Sequence, residues 1–224
     1  MRFPEASSGI KKVYLAEIFA LIAVFCTLLA AAGALTAIGT AAVDAADAET
    51  LGSSDVALAV GAGAVMLIAG VLGILSIIFN LIGLRAASHD DKFFKWAFIA
   101  AIVSLALAVI GGMSPSDSIE YMVFDIANDV ATALITVFVI NGVVSLAGQL
   151  GNQDMAESGS RLLRLIIAMY VLIIAASVIS YILTSVSSNN MITAIFAFIP
   201  AVLSAILFIV YLIYLNKAKA MLAQ

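Results

Sequence analysis

The stretch FNLIGLRAASHDDKFFKWAFIAAIV, residues 79–103, decides the fold class. Two apolar runs flank a short polar segment that holds Arg85, Lys92 and Lys95. An apolar run that ends on a base, turns within a few residues and begins again is the mark of two membrane-crossing helices joined on one side. The remaining bases repeat the pattern. Arg2, Lys11, Lys12, Arg161, Arg164, Lys217 and Lys219 complete the set of ten, and all ten fall on the same side of six apolar segments. Retained loops keep Lys and Arg while translocated loops shed them, so this side reads as cytoplasmic. Both termini are then expected in the cytoplasm.

The acids sharpen the division. Glu5, Asp90, Asp91, Asp154 and Glu157 accompany the bases, whereas Asp44, Asp47, Glu49, Asp55, Asp117, Glu120, Asp125 and Asp129 fall on the opposite side. The formal net charge of −4 hides this segregation. The chain of 224 residues is 64% hydrophobic, with a mean hydropathy of +1.20. A soluble domain is usually about 45–50% apolar, so lipid must solvate part of this one. Basic residues beside an anionic leaflet are ordinary anchors, and nothing here points to nucleic acid.

A spanning helix needs about 20 apolar residues. Six segments meet or approach that length, at about 13–43, 56–84, 93–112, 119–148, 162–185 and 191–215. The connections are too short for a soluble domain. The expectation is therefore an all-α, polytopic integral membrane protein forming a single six-helix domain. The apolar run of helix 1 continues past the small residues Ala30–Ala32, which favours a retained span over a cleaved leader. Tyr14, Phe93, Phe94, Trp96, Tyr211 and Tyr214 at one set of helix ends, with Tyr121 and Tyr181 at the other, suit an aromatic belt. Charge placement is compatible with either three hairpin repeats or two inverted halves.

Few residues could carry chemistry. Glu17 is the one acid clearly within a span, roughly 7–8 Å deeper than Lys12 at 1.5 Å per residue. An intramembrane carboxylate suggests a proton or cation site. At so shallow a depth, snorkelling to the surface or pairing with a base is the simpler reading. Asn80, Asn141 and Tyr170 have polar atoms that lipid cannot satisfy; they could join Glu17 in a polar site, or bond between helices. In helix 2, Ala59, Gly63, Met66, Gly70, Gly73, Ile77 and Asn80 follow steps of three and four. Within this stripe Ala59, Gly63, Gly70 and Gly73 are expected to form a packing seam for a helix of the same chain or of a partner. Pro200 should kink helix 6.

No catalytic residues are expected. The chain has one cysteine and one histidine, which leaves no Cys-based metal site or intrachain disulfide, and no nucleotide-loop, zinc-protease or nucleophile-elbow motif occurs. No metal or other cofactor is anticipated, and an enzyme is not. The sequence prefers a small-solute transporter, or a membrane subunit of one, in a bacterial plasma membrane. The alternative is a non-catalytic scaffold or regulatory subunit that packs against a partner through helix 2. Expected partners are the lipid bilayer and either a second copy of the chain or another membrane subunit.

Overall fold

In a computed structural model the chain is all-helical. The structure describes residues 3–44, 53–115, 118–186 and 190–223. Its six helices are α1 (Pro4–Asp44), α2 (Ser53–Ala87), α3 (Lys92–Gly112), α4 (Ile119–Gln149), α5 (Gln153–Val186) and α6 (Asn190–Leu222). All six contain segments long and apolar enough to cross a membrane. Asp47, Glu49, Asp117 and Ser188 lie outside the described residues.

Three helices extend past their apolar runs. α1 begins at Pro4, α5 at Gln153, and α6 continues to Leu222. The apolar pattern marks only the lipid-solvated part of a helix. Charged turns beyond it stay helical because caps and local pairs satisfy them. Pro4 suits a first helical position, since its missing N–H would be unbonded there anyway. On α5, Glu157 and Arg161 form an i,i+4 ion pair at 2.6 Å, a spacing that places both on one helix face. α6 runs through Pro200 as one element.

The expected loop over 149–161 is instead a tight turn. Gly151 has φ +72, a left-handed conformation that favours glycine. Its N–H donates to Gly148 O at 3.1 Å, and the Asn152 N–H donates to Ala147 O at 2.9 Å. These two bonds form a Schellman motif that ends α4. Asn152 then caps α5, its Oδ1 accepting from the Met155 N–H at 3.1 Å.

The chain divides into two compact units, Lys12–Asn80 and a second unit made of Met1–Lys11 with Leu81–Gln224. In the first, Phe19 and Phe79 meet edge to face, with centroids 5.6 Å apart and planes at 74°. Many of its described large apolar side chains are exposed, Phe25 and Leu67 among them at 62% and 74%. Soluble cores do not leave so many large apolar side chains uncovered; a lipid-solvated surface does.

In the second unit α3 packs on α4, α4 on α5, and α5 on α6. α4 is the central member. Thr136, Val139, Ile140, Val143, Leu146 and Ala147 are buried along it at helical spacing. Glycines allow close approaches, the tightest at Gly142, Gly159 and Gly9. At Gly142 an added Cβ would lie 2.7 Å from the ring of the fully buried Phe94. At Gly159 it would overlap Tyr214 Oη and Val144 Cγ2, and at Gly9 it would lie 2.5 Å from Gly83 O. These contacts correct part of the aromatic-belt reading. Phe94, Tyr211 and Tyr214 are buried packing residues, whereas Trp96 and Tyr121 are exposed. The Tyr181 side chain lies outside those described.

Candidate functional site

The four polar residues singled out from the sequence fall in both units. Glu17 and Asn80 belong to the Lys12–Asn80 unit, and Asn141 and Tyr170 to the other. Glu17 is half-buried on α1. Among the described residues it has no hydrogen-bond or ion-pair partner. Asn80 is also half-buried, and its Oδ1 is sealed from solvent without a hydrogen bond. The Phe19–Phe79 contact fixes the register of these helices. Glu17 lies two residues before Phe19 and Asn80 one residue after Phe79. At a rise of about 1.5 Å per residue on antiparallel helices, Glu17 and Asn80 lie at nearly the same depth.

Asn141 and Tyr170 are satisfied differently. Asn141 Nδ2 donates to Val137 O at 3.0 Å, one turn back on its own helix. That bond needs no neighbouring helix. Tyr170 Oη lies 3.5 Å from Thr136 Oγ1, across the α4–α5 contact. The Thr136 hydroxyl also donates to Thr132 O at 3.2 Å. This is a thin polar crossing within an apolar interface.

The stronger interhelical bonds involve residues that the sequence reading passed over. Ser104 Oγ donates to Asn128 Oδ1 at 2.7 Å, joining α3 to α4. Ser145 Oγ donates to Asp91 Oδ2 at 2.6 Å. The other oxygen of Asp91 accepts from the Phe93 N–H at 2.8 Å and so caps α3. Asp90 Oδ2 accepts from the Ala6 N–H at 2.6 Å. Two adjacent carboxylates thus hold the first turn of α1, the first turn of α3 and the side of α4. Asp91 was legible as a cap, since an acid directly before an apolar helix is a start signal. Nothing local marks Asp90 as the cap of a helix more than eighty residues away.

The α2 stripe is open. Among the described residues, a Cβ added at Gly63, Gly70 or Gly73 would meet nothing within 4 Å, and Met66 and Ile77 of the same stripe are 51% and 43% exposed. Ala59 lies on α2, but its side chain is outside those described. A cavity of about 370 Å³ opens elsewhere, lined by Asn152, Asp154, Met155, Ser158, Lys217, Ala220 and Met221. None of Glu17, Asn80, Asn141 or Tyr170 lines it. Among the described residues, no three His, Cys, Asp or Glu side chains are grouped closely enough to hold a metal ion.

No protein family matches this chain, and no curated protein or solved structure shows significant similarity to it.

Proposed function

We propose that this multi-pass protein is a non-catalytic subunit that packs against another transmembrane helix through the open stripe of α2. The observation carrying this reading is the free space at Gly63, Gly70 and Gly73. Glycine in a helix interior forgoes side-chain packing, and small residues at this spacing let a second backbone come close. The glycines that pack within the chain are others: Gly9, Gly111, Gly142 and Gly159. The bases then mark the cytoplasmic side of a plasma membrane, with both termini on that side, and a bacterial origin fits this plan. The test is co-purification in mild detergent, with bound proteins identified by mass spectrometry. Gly70→Leu should abolish the association while helicity is kept. Undiminished association of a folded Gly70→Leu variant would overturn the proposal.

A transport reading is favoured by one observation, the shared depth of the unpaired Glu17 and the unsatisfied Asn80 Oδ1. An intramembrane carboxylate at the depth of an amide acceptor could hold a proton or a cation. Under this reading, Glu17→Gln abolishes any proton-coupled flux in proteoliposomes and leaves the fold intact. Unchanged flux would remove Glu17 from the mechanism.

A further inference from the structure

The cavity between the start of α5 and the end of α6 presents two opposite charges that do not neutralise each other. Asp154 and Lys217 both line it, both are exposed, and neither forms an ion pair. The Glu157–Arg161 ion pair lies outside the lining. Asn152 and Ser158 add polar atoms, while Met155, Ala220 and Met221 add an apolar wall. Tyr214 lies one turn before Lys217 on α6. It is 4% exposed, its hydroxyl has no hydrogen-bond partner, and that hydroxyl abuts Gly159, the neighbour of Ser158. The α4–α5 turn and the last turn of α6 form the walls, so the cavity lies at the helix ends where the bases gather, at the level of lipid headgroups.

The volume of about 370 Å³ is at the small end of ligand pockets. A headgroup fits that size, and an open mouth beside an apolar wall lets acyl chains leave into the bilayer. A ligand that satisfies both charges must itself carry both. The Lys217 ammonium favours an anionic oxygen. Asp154 favours a hydrogen-bonding cation. A purely anionic headgroup would leave Asp154 opposed, and a quaternary ammonium has no N–H to donate to it.

We propose that this pocket binds a phosphoethanolamine group, with its phosphate on Lys217 and its primary ammonium on Asp154. The lipid form of this group, phosphatidylethanolamine, is the expected source. The test is retention of lipid on the full-length protein in detergent, read by native mass spectrometry. Phosphatidylethanolamine should be retained in preference to phosphatidylglycerol and phosphatidylcholine. Lys217→Gln should weaken retention about fivefold, as loss of one surface cation implies. Lys95→Gln, on α3, should leave it unchanged. Asp154→Asn should erase the preference for phosphatidylethanolamine over phosphatidylglycerol. Both pocket side chains are exposed, and circular dichroism checks that the variants fold. Displacement of the lipid by soluble phosphoethanolamine, sensitive to Lys217→Gln, would support the same pocket and assign it to the free compound. Equal retention of the three lipids, or folded pocket variants that retain phosphatidylethanolamine as well as the parent, would overturn the proposal.

Discussion

Asp90 caps a helix that begins at the other end of the sequence: its Oδ2 accepts the Ala6 N–H at 2.6 Å. Pro4 has no N–H, and the Ser7 N–H already reaches Phe3 O at 3.0 Å. Ala6 is therefore one of the few donors of the first turn that still needs an acceptor, and Asp90 supplies it. Beside it Gly9 lets α1 approach Gly83 and Ala87 closely. Asp90→Ala should cost about 1 kcal/mol, the usual value of a lost cap. Hydrogen exchange in detergent checks this, with faster exchange expected over residues 4–11 and little change in α4. Asp90→Asn keeps an acceptor and should recover most of the protection. Equal protection in the alanine variant would show that the cap contributes nothing to holding α1.

Two kinds of glycine should separate under the same substitution. Gly142→Ala places a methyl group 2.7 Å from the Phe94 ring, which is fully buried and cannot swing aside. Overpacking of this kind costs about 1–3 kcal/mol. Gly70→Ala meets nothing within 4 Å and removes a weak helix former. It should be neutral, or stabilising by up to about 1 kcal/mol. Thermal unfolding of the two variants in one detergent gives the comparison. Equal loss at both positions would mean that Gly70 already packs against a neighbour.

The contrast between these glycines shows how far the sequence could be read. Span number and helical class follow from long apolar runs, because lipid allows few ways to satisfy a backbone. The stripe on α2 was legible as a periodicity, yet periodicity does not say what covers it. Gly9, Gly142 and Gly159 stood in no stripe, and their partners Gly83, Phe94 and Tyr214 come from other helices. Asn141 illustrates the same limit for polar groups. Its composition suggested an interhelical bond, while one turn of its own helix offered Val137 O as an acceptor. The extra turns of α1, α5 and α6 were missed because their charges interrupt the apolar pattern without interrupting the helix.

The polar bonds along α4 should differ in strength according to charge. Ser145 Oγ donates to a carboxylate that is also held by the Phe93 N–H. Hydrogen bonds to charged groups contribute about 1.5–3 kcal/mol. Thr136 and Tyr170 lie 3.5 Å apart and are both neutral. Interhelical bonds in membranes average about 0.6 kcal/mol. Ser145→Ala should therefore lower the unfolding midpoint clearly more than Thr136→Val. A double variant with Asp91→Ala should be less than additive with Ser145→Ala, since both remove the same bond. Full additivity would show that the two groups act independently.

Sidedness can be tested at residues whose environment is described. Ser88 lies in the turn between α2 and α3, among the bases, and Met113 ends α3 at 84% exposure. Retention of Lys and Arg in the cytoplasm predicts that a cysteine at Ser88 is labelled only after the membrane is opened. A cysteine at Met113 should react with an impermeant maleimide on intact cells. Cys26 is the single native thiol, so Cys26→Ser gives a clean background. α3 joins the two positions by 21 helical residues, which at about 1.5 Å each span the hydrocarbon core. The two labels must then differ in sidedness whatever the orientation. The reverse pattern, Ser88 reactive from outside and Met113 protected, would invert the topology. It would also move the headgroup pocket at Asp154 and Lys217 to the outer leaflet, because the α4–α5 turn and the Ser88 turn are separated by two complete spans.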